Sequence, residues 1–142
     1  MPDNVRIASV SAEPIAVEAC AAAVDSPTHG AVVTFAGVVR DHDGGKGVLR
    51  LNYEAHPEAE AAIRASAQRI GARWPEVRIA VAHRVGELVV GDLALACAVA
   101  SAHRAAAFAA CAALIDDVKA TVPIWKEQGF TDGSTEWVAS LG

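Results

Sequence analysis

The chain has 142 residues, 53% hydrophobic and 20% charged, with a formal net charge of −5. That balance excludes a disordered chain, and it excludes general nucleic-acid binding, which needs a basic surface. No apolar run has the length and freedom from charge needed to span a membrane, and the start M-P-D-N-V-R lacks the layout of a secretion signal. The expectation is a cytoplasmic protein folding as one domain over residues 1–142.

Val5–Val10 is a short extended segment, and Pro14 is placed to open an alanine-rich helix reaching Val24. Ser26–Gly30 is a loop. Residues 31–40, A-V-V-T-F-A-G-V-V-R, are rich in β-branched side chains and predict a strand, with Gly37 marking a bulge or a close backbone approach. Asp41–Gly47 is a glycine-rich turn, and the alternation over Val48–Ala55 predicts the second strand of a hairpin. A helix from Pro57 to Trp74 is ended by Pro75, and Arg78–Val85 is the next strand. Gly86–Gly91 carries a turn and a short extended piece. Leu93–Ala100 is apolar almost throughout, so it predicts a strand buried on both faces. Ala102–Ala120 is a long helix whose core stripe is expected to be Phe108, Cys111, Ile115 and Val118. Short extended segments follow around 124–126 and 136–138. The alternation predicts an α+β fold, with helices packed on a mixed or antiparallel sheet.

The stretch K-A-T-V-P-I-W-K, residues 119–126, holds the chemistry of greatest interest. Pro123 disfavours helix at Val122, so Lys119 and Lys126 do not share a helical face. They are held by a turn between apolar walls, a setting that suits proton transfer or anion binding, or else they are two surface lysines flanking a buried tryptophan. His103-Arg104 stands where a buried strand meets the long helix. Either the helix N-terminus and the guanidinium bind an anion there, or Ser101 simply caps the helix. Arg40 ends a strand beside mobile glycines, the position of a ligand-facing cation or of a solvated strand end. The histidines never fall in H-x-x-x-H or H-E-x-x-H spacing, and Cys20, Cys97 and Cys111 lack metal-type spacing, so no metal is expected and the thiols are read as small buried hydrophobes. Glu54 and Glu127 are acids that nothing local marks out, and His83-Arg84 is read as structural.

Taken in order, G-A-V-V-T-F-A-G-V-V-R (30–40), L-N-Y-E (51–54), R-W-P (73–75), H-R-V-G-E-L (83–88), G-D (91–92), S-A-H-R-A-A-A-F (101–108), V-P-I-W-K (122–126) and D-G-S-T-E-W-V (132–138) resemble the MoaE family, the catalytic large subunits of molybdopterin synthase. Each motif is weak alone, and the ordered set is specific. The resemblance implies an α/β hammerhead-like domain with an additional antiparallel β subdomain. It implies a homodimer at the centre of a heterotetramer. Each catalytic subunit would receive the C-terminal Gly-Gly thiocarboxylate of a small ubiquitin-like sulfur carrier and pass sulfur to cyclic pyranopterin monophosphate, with no cofactor. It further implies that Lys119 and Lys126 are catalytic, and that Val38, Val39, Arg40, His103, Arg104, Glu127 and Gln128 lie in substrate-binding segments. One departure stands out: the family usually has a basic residue and then Glu after the second lysine, whereas Lys126 is followed here by Glu127, Gln128 and Gly129. Two rival readings are a non-catalytic partner-binding subunit anchored by Trp125 and Trp137, and a metal-free phosphoesterase using His103 and Arg104. A continuous helix from Arg104 to Lys119 would separate them by about 22 Å, so a site using both needs either a second copy of the chain or a broken helix.

Overall fold

The structure, a computed structural model, describes residues 4–43 and 45–139. In chain order the elements are β1 (Val5–Ser11), α1 (Val17–Val24), β2 (Ala31–Val38), β3 (His42–Asp43), β4 (Lys46–Ala55), α2 (Ala59–Arg73), β5 (Arg78–Arg84), β6 (Gly86–Val89), β7 (Leu93–Ser101), α3 (Arg104–Thr121), β8 (Ile124–Phe130) and β9 (Thr135–Ala139). Two sheets result. The first runs β1-β5-β7-β2, with β1 parallel to β5 and the other pairings antiparallel. The second is antiparallel and runs β3-β4-β8-β9, with β6 added to β4. This bears out the α+β expectation and its additional antiparallel unit.

Strands β5 and β7 are buried on both faces because helices cover both sides of the first sheet. Ala80, Ala96, Ala98 and Ala100 form the face under α1, where small side chains let the helix lie close. Ile79, Val81, Cys97 and Val99 form the opposite face, under α2 and α3. That second core continues without a break into Leu51, Tyr53, Leu88, Ile124 and Phe130 of the antiparallel sheet. The three cysteines are buried and free, as expected of small hydrophobes. Cys97 Sγ and Cys111 Sγ lie 3.8 Å apart, and the contact with Cys111, together with burial, raises the Cys97 thiol pKa.

Four local expectations are revised. Helix α1 starts at Val17 rather than at Pro14: Ile15 packs against the sheet, so Ala16 is still extended (φ −141°, ψ 133°). The expected turn at 41–47 contains a short β3–β4 pairing, Asp43 opposite Lys46, with position 44 outside the described residues. The last two extended segments are longer than the sequence suggests and form a hairpin, whose turn uses Gly133 at φ 85°. Phe108 does not face the core; it is 61% exposed. The buried face of α3 is Ala107, Ala110, Cys111, Leu114 and Val118, a stripe turned by about one residue from the one expected. The cause is composition: a helix rich in alanine has no strong apolar phase of its own, and close packing on β2 and β7 selects the alanine side.

On the outer side of the helices, Asp117 ties α3 to α2. Its Oδ1 accepts hydrogen bonds from Ser66 Oγ at 2.7 Å and Arg69 Nη2 at 2.6 Å. The Arg69 hydrogen bond is the main reason the Asp117 carboxyl sits below the usual carboxylate range.

Candidate functional site

The path from Lys119 to Lys126 is a helix end turned into a strand. Val122 caps α3 in an extended conformation (φ −85°, ψ 122°), as the following proline requires. Its N–H donates to Val118 O at 3.0 Å, and the Pro123 carbonyl accepts the N–H of His56 at 3.0 Å, which anchors the turn beside the start of α2. Buried Val122 and Ile124 bracket the proline. Strand alternation then decides the rest. Ile124, Lys126 and Gln128 point to one face of β8, and Trp125 and Glu127 point to the other. Trp125 is 43% exposed, which removes the reading of two lysines around a buried tryptophan.

Lys119, at the last turn of α3, and Lys126, on β8, meet at one pocket of about 250 Å³. Its other walls are Phe35, Gly37, Val38, Arg40, Tyr53, Ala94 and Leu95. A narrower recess of about 90 Å³ adjoins it, lined by Val38, Val39, Arg40, Val48, Leu51, Tyr53, Lys126 and Gln128. The end of β2 shapes both. The β2–β7 register shifts between Gly37 and Val38, the bulge expected of that glycine. A Cβ at Gly37 would stand 3.2 Å from Phe35 Cε2 and 3.3 Å from Leu95 Cβ, so a larger residue would crowd two side chains that line the pocket. Past the bulge, Val39 N–H donates to Asp92 O at 2.9 Å and Val39 O accepts from Gly91 N–H at 2.8 Å. These bonds fix the backbone that delivers Arg40.

None of the residues lining the pocket or the recess is acidic, while Arg40, Lys119 and Lys126 bring three cations. In a chain of net charge −5 this is a local inversion of sign, and it suits an anionic ligand that approaches with steering. Among the described residues no group of three or more His, Cys, Asp or Glu side chains gathers as a metal site would require.

The remaining predicted residues divide. Val38, Val39 and Gln128 join the cationic pocket or its recess, and the buried Gln128 amide is oriented by donating from Nε2 to Glu136 Oε1 at 3.2 Å. Glu127 does not join them. It sits on the opposite face of β8, 3.6 Å from Arg50 Nη1. The shifted acid after Lys126 thus becomes a surface ion pair, and Gln128 takes the inward position. His103 and Arg104 lie at the other end of α3, which is continuous from Arg104 to Thr121, in an open depression of about 520 Å³ shared with Gly30, Ala31, Ala102 and Ala105. The broken-helix alternative is therefore ruled out, and within one chain Arg104 and Lys119 stay about 22 Å apart along the helix.

The start of α3 carries a local hydrogen-bond network. His103 is the N-cap residue, and its side chain makes no capping bond. Ser101 Oγ accepts the His103 N–H at 3.3 Å and donates to Glu76 Oε1 at 2.5 Å, while Glu76 Oε2 accepts the Ala102 N–H at 3.3 Å. Glu76 thus ties down Ser101 and the Ala102 N–H just ahead of the helix, where its negative charge lies on the favourable side of the helix dipole. Glu76, Phe35 and Tyr53 are absent from the site residues expected from sequence. Glu76 is brought to α3 only by tertiary folding. Tyr53 carried one readable signal, as the single tyrosine of a strand.

The family model described as MoaE protein matches residues 10–121, more than three quarters of the chain. The chain belongs to the MoaE family. It is 40% identical over 131 residues to the molybdopterin synthase catalytic subunit of Halalkalibacterium halodurans, covering 92% of this chain and 83% of that protein. It is 43% identical over 129 residues to molybdopterin synthase catalytic subunit 1 of Mycobacterium tuberculosis, covering 89% and 86%. Among solved structures, molybdopterin synthase from Staphylococcus aureus superposes with a TM-score of 0.86 at 34% identity, over 94% of this chain and 97% of that one. The match in fold covers 94% of this chain, so the pairing of sheets and helices described above is the architecture of that structure too.

Proposed function

We propose that the chain is the catalytic subunit of a molybdopterin synthase, a sulfurtransferase. It accepts the C-terminal Gly-Gly thiocarboxylate of a small ubiquitin-like carrier and moves sulfur to cyclic pyranopterin monophosphate, making the dithiolene of molybdopterin. The observation that carries this reading is the acid-free pocket with Arg40, Lys119 and Lys126 in an acidic member of the MoaE family. Both reactants are anionic, the carrier tail through its thiocarboxylate and the pterin through its phosphate, so both are drawn to the same cations.

In this reading Lys119 and Lys126 are the catalytic pair. Sulfur transfer leaves an acyl group on the carrier that must be released, and an ammonium beside it can donate a proton or neutralise developing negative charge. Arg40 holds the phosphate through charge-assisted hydrogen bonds, and the backbone at Val38 and Val39, with the inward-facing Gln128, shapes the pterin's bed. His103 and Arg104 act in trans. The outward stripe of α3 runs Arg104, Ala105, Phe108, Ala109, Ala112, Asp116, Lys119, all exposed. A two-fold axis near Ala112 would pack two such stripes antiparallel, seating each Phe108 among the partner's alanines. It would carry the second copy's Arg104 towards Lys119 and create two equivalent composite sites. The homodimer would be the centre of a heterotetramer with two carriers, the whole chain acting as one domain. Three buried free thiols support a cytosolic setting, and no helix among the described residues is long and apolar enough to cross a membrane.

The deciding experiment mixes the purified protein with thiocarboxylated carrier and cyclic pyranopterin monophosphate and follows dithiolene formation. Product is expected. Tight carrier binding without turnover would replace this reading with a partner-binding role, and phosphate release without carrier would replace it with phosphoester hydrolysis.

A further inference from the structure

Tyr53 is the single tyrosine of the chain. It is 7% exposed and lines both the cationic pocket and its recess. In the antiparallel register of β4 and β8 it stands directly opposite Lys126, so the two side chains leave the sheet together on the same face. Its hydroxyl has no hydrogen-bond partner among the described residues, yet the oxygen is not sealed in the interior. A phenol with an unused donor, open to a cavity that gathers three cations, is set to meet a ligand.

What lies behind the ring holds it there. His83 is fully buried, and its ring meets that of Tyr53 edge-on, with centroids 5.1 Å apart and planes at 74°. The imidazole is fixed by donating from Nδ1 to the Arg84 carbonyl at 2.7 Å. Burial pushes its pKa down to about 4, so it is neutral near pH 7 and does not compete with the pocket's cations for an anion. Burial also pushes the Tyr53 phenol up, which keeps its proton in place as a donor. Among three like charges, a fourth cation would add repulsion, whereas a neutral donor adds a hydrogen bond without that cost.

We propose that Tyr53 is a substrate-contacting residue of this site, donating a hydrogen bond from its phenol to the anionic oxygen gathered by Arg40, Lys119 and Lys126, with His83 as the residue that positions its ring. The inference rests on the sulfur-transfer reading above. Two oxygens share the required chemistry: the phosphate of the pterin and the terminal oxygen of the carrier's thiocarboxylate.

The test is Tyr53→Phe, which keeps the ring and its contact with His83 and removes only the hydroxyl. The affinity for cyclic pyranopterin monophosphate and the single-turnover rate with saturating pterin and thiocarboxylated carrier are measured separately. A hydrogen bond to a charged group predicts a loss of about 10- to 100-fold in one of them. Loss of pterin affinity at an unchanged rate assigns the phosphate, and loss of rate at unchanged affinity assigns the carrier tail. Both quantities within twofold of the parent, in a variant of unchanged Tm, would overturn the proposal while leaving the sulfur-transfer reading intact. Failure of the parent protein to form product would instead overturn that reading. Should Tyr53→Phe fold poorly, the parent chain grown on 3-fluorotyrosine carries one fluorine label, at Tyr53. Its resonance is expected to move when saturating pterin or carrier is added, and a resonance unmoved by both refutes the contact.

Discussion

The shared-site arrangement makes a quantitative prediction about mixed dimers. Arg104→Ala and Lys119→Ala are each expected to be inactive as purified homodimers, because every composite site lacks one required cation. Helix α3 is unbroken between the two positions, so about 22 Å of axis prevents one chain from supplying both residues to one small pterin. When equal amounts of the two variants exchange subunits freely, about half of the dimers are mixed. Each mixed dimer has one site combining an intact Lys119 from one chain with an intact Arg104 from the other, and one site lacking both. About a quarter of all sites are then whole, so activity should recover to about a quarter of the parent level. The assay is dithiolene formation after mixing, with exchange followed independently by native mass spectrometry of differently tagged chains. Recovery should follow the rate of exchange. No activity after complete exchange would refute the composite site. High activity in the Arg104→Ala homodimer before mixing would refute the role of Arg104 itself.

The other expectations are more local. Lys119→Ala and Lys126→Ala should each lose most turnover with thermal unfolding unchanged, and Lys119→Arg should also be poor, because arginine stays protonated near neutral pH; steady-state rates on folded protein check this. Arg40→Ala should weaken pterin binding by about 1.5–3 kcal/mol and carrier binding far less, measured by separate calorimetric titrations, and an equal loss for both ligands would contradict the phosphate assignment. His83 links stability to pH. Its folded pKa of about 4 lies below the unfolded value of about 6.5, so the unfolded chain binds the extra proton and stability falls as pH drops from about 6.5 towards 4. Between pH 7 and pH 4.5 that amounts to about 2.5 kcal/mol, and His83→Phe should lose this part of the slope in denaturant unfolding; parallel pH profiles for parent and variant would show that His83 does not titrate as buried.

Much of the fold was legible because its signals are local. Gly37 breaks a β-branched strand and marks the bulge that shapes the pocket wall. Pro123 ends a helix and starts an extended segment, and that alone separates the two lysines onto different elements. The unbroken apolar run at Leu93–Ala100 announced a strand covered on both faces. What could not be read were choices made between distant segments. The alanine-rich α3 has nearly equal faces, so contact with β2 and β7, and not its own pattern, turned Phe108 outward and Leu114 inward. The register of β8 against β4 set Tyr53 opposite Lys126, and the parity of that strand sent Gln128 into the recess and Glu127 to Arg50. A shift of one residue would exchange the two faces, and nothing within the strand prevents it. Glu76 reached the start of α3 because the β5 and β7 ends lie together, and so an internal carboxylate binds Ser101 and Ala102 just ahead of the helix, a contact that no local pattern announces. The sequence by itself determined which residue types and turns were available. The tertiary structure decided which cations meet, because convergence of side chains from β2, α3 and β8 depends on pairing and packing across the whole chain.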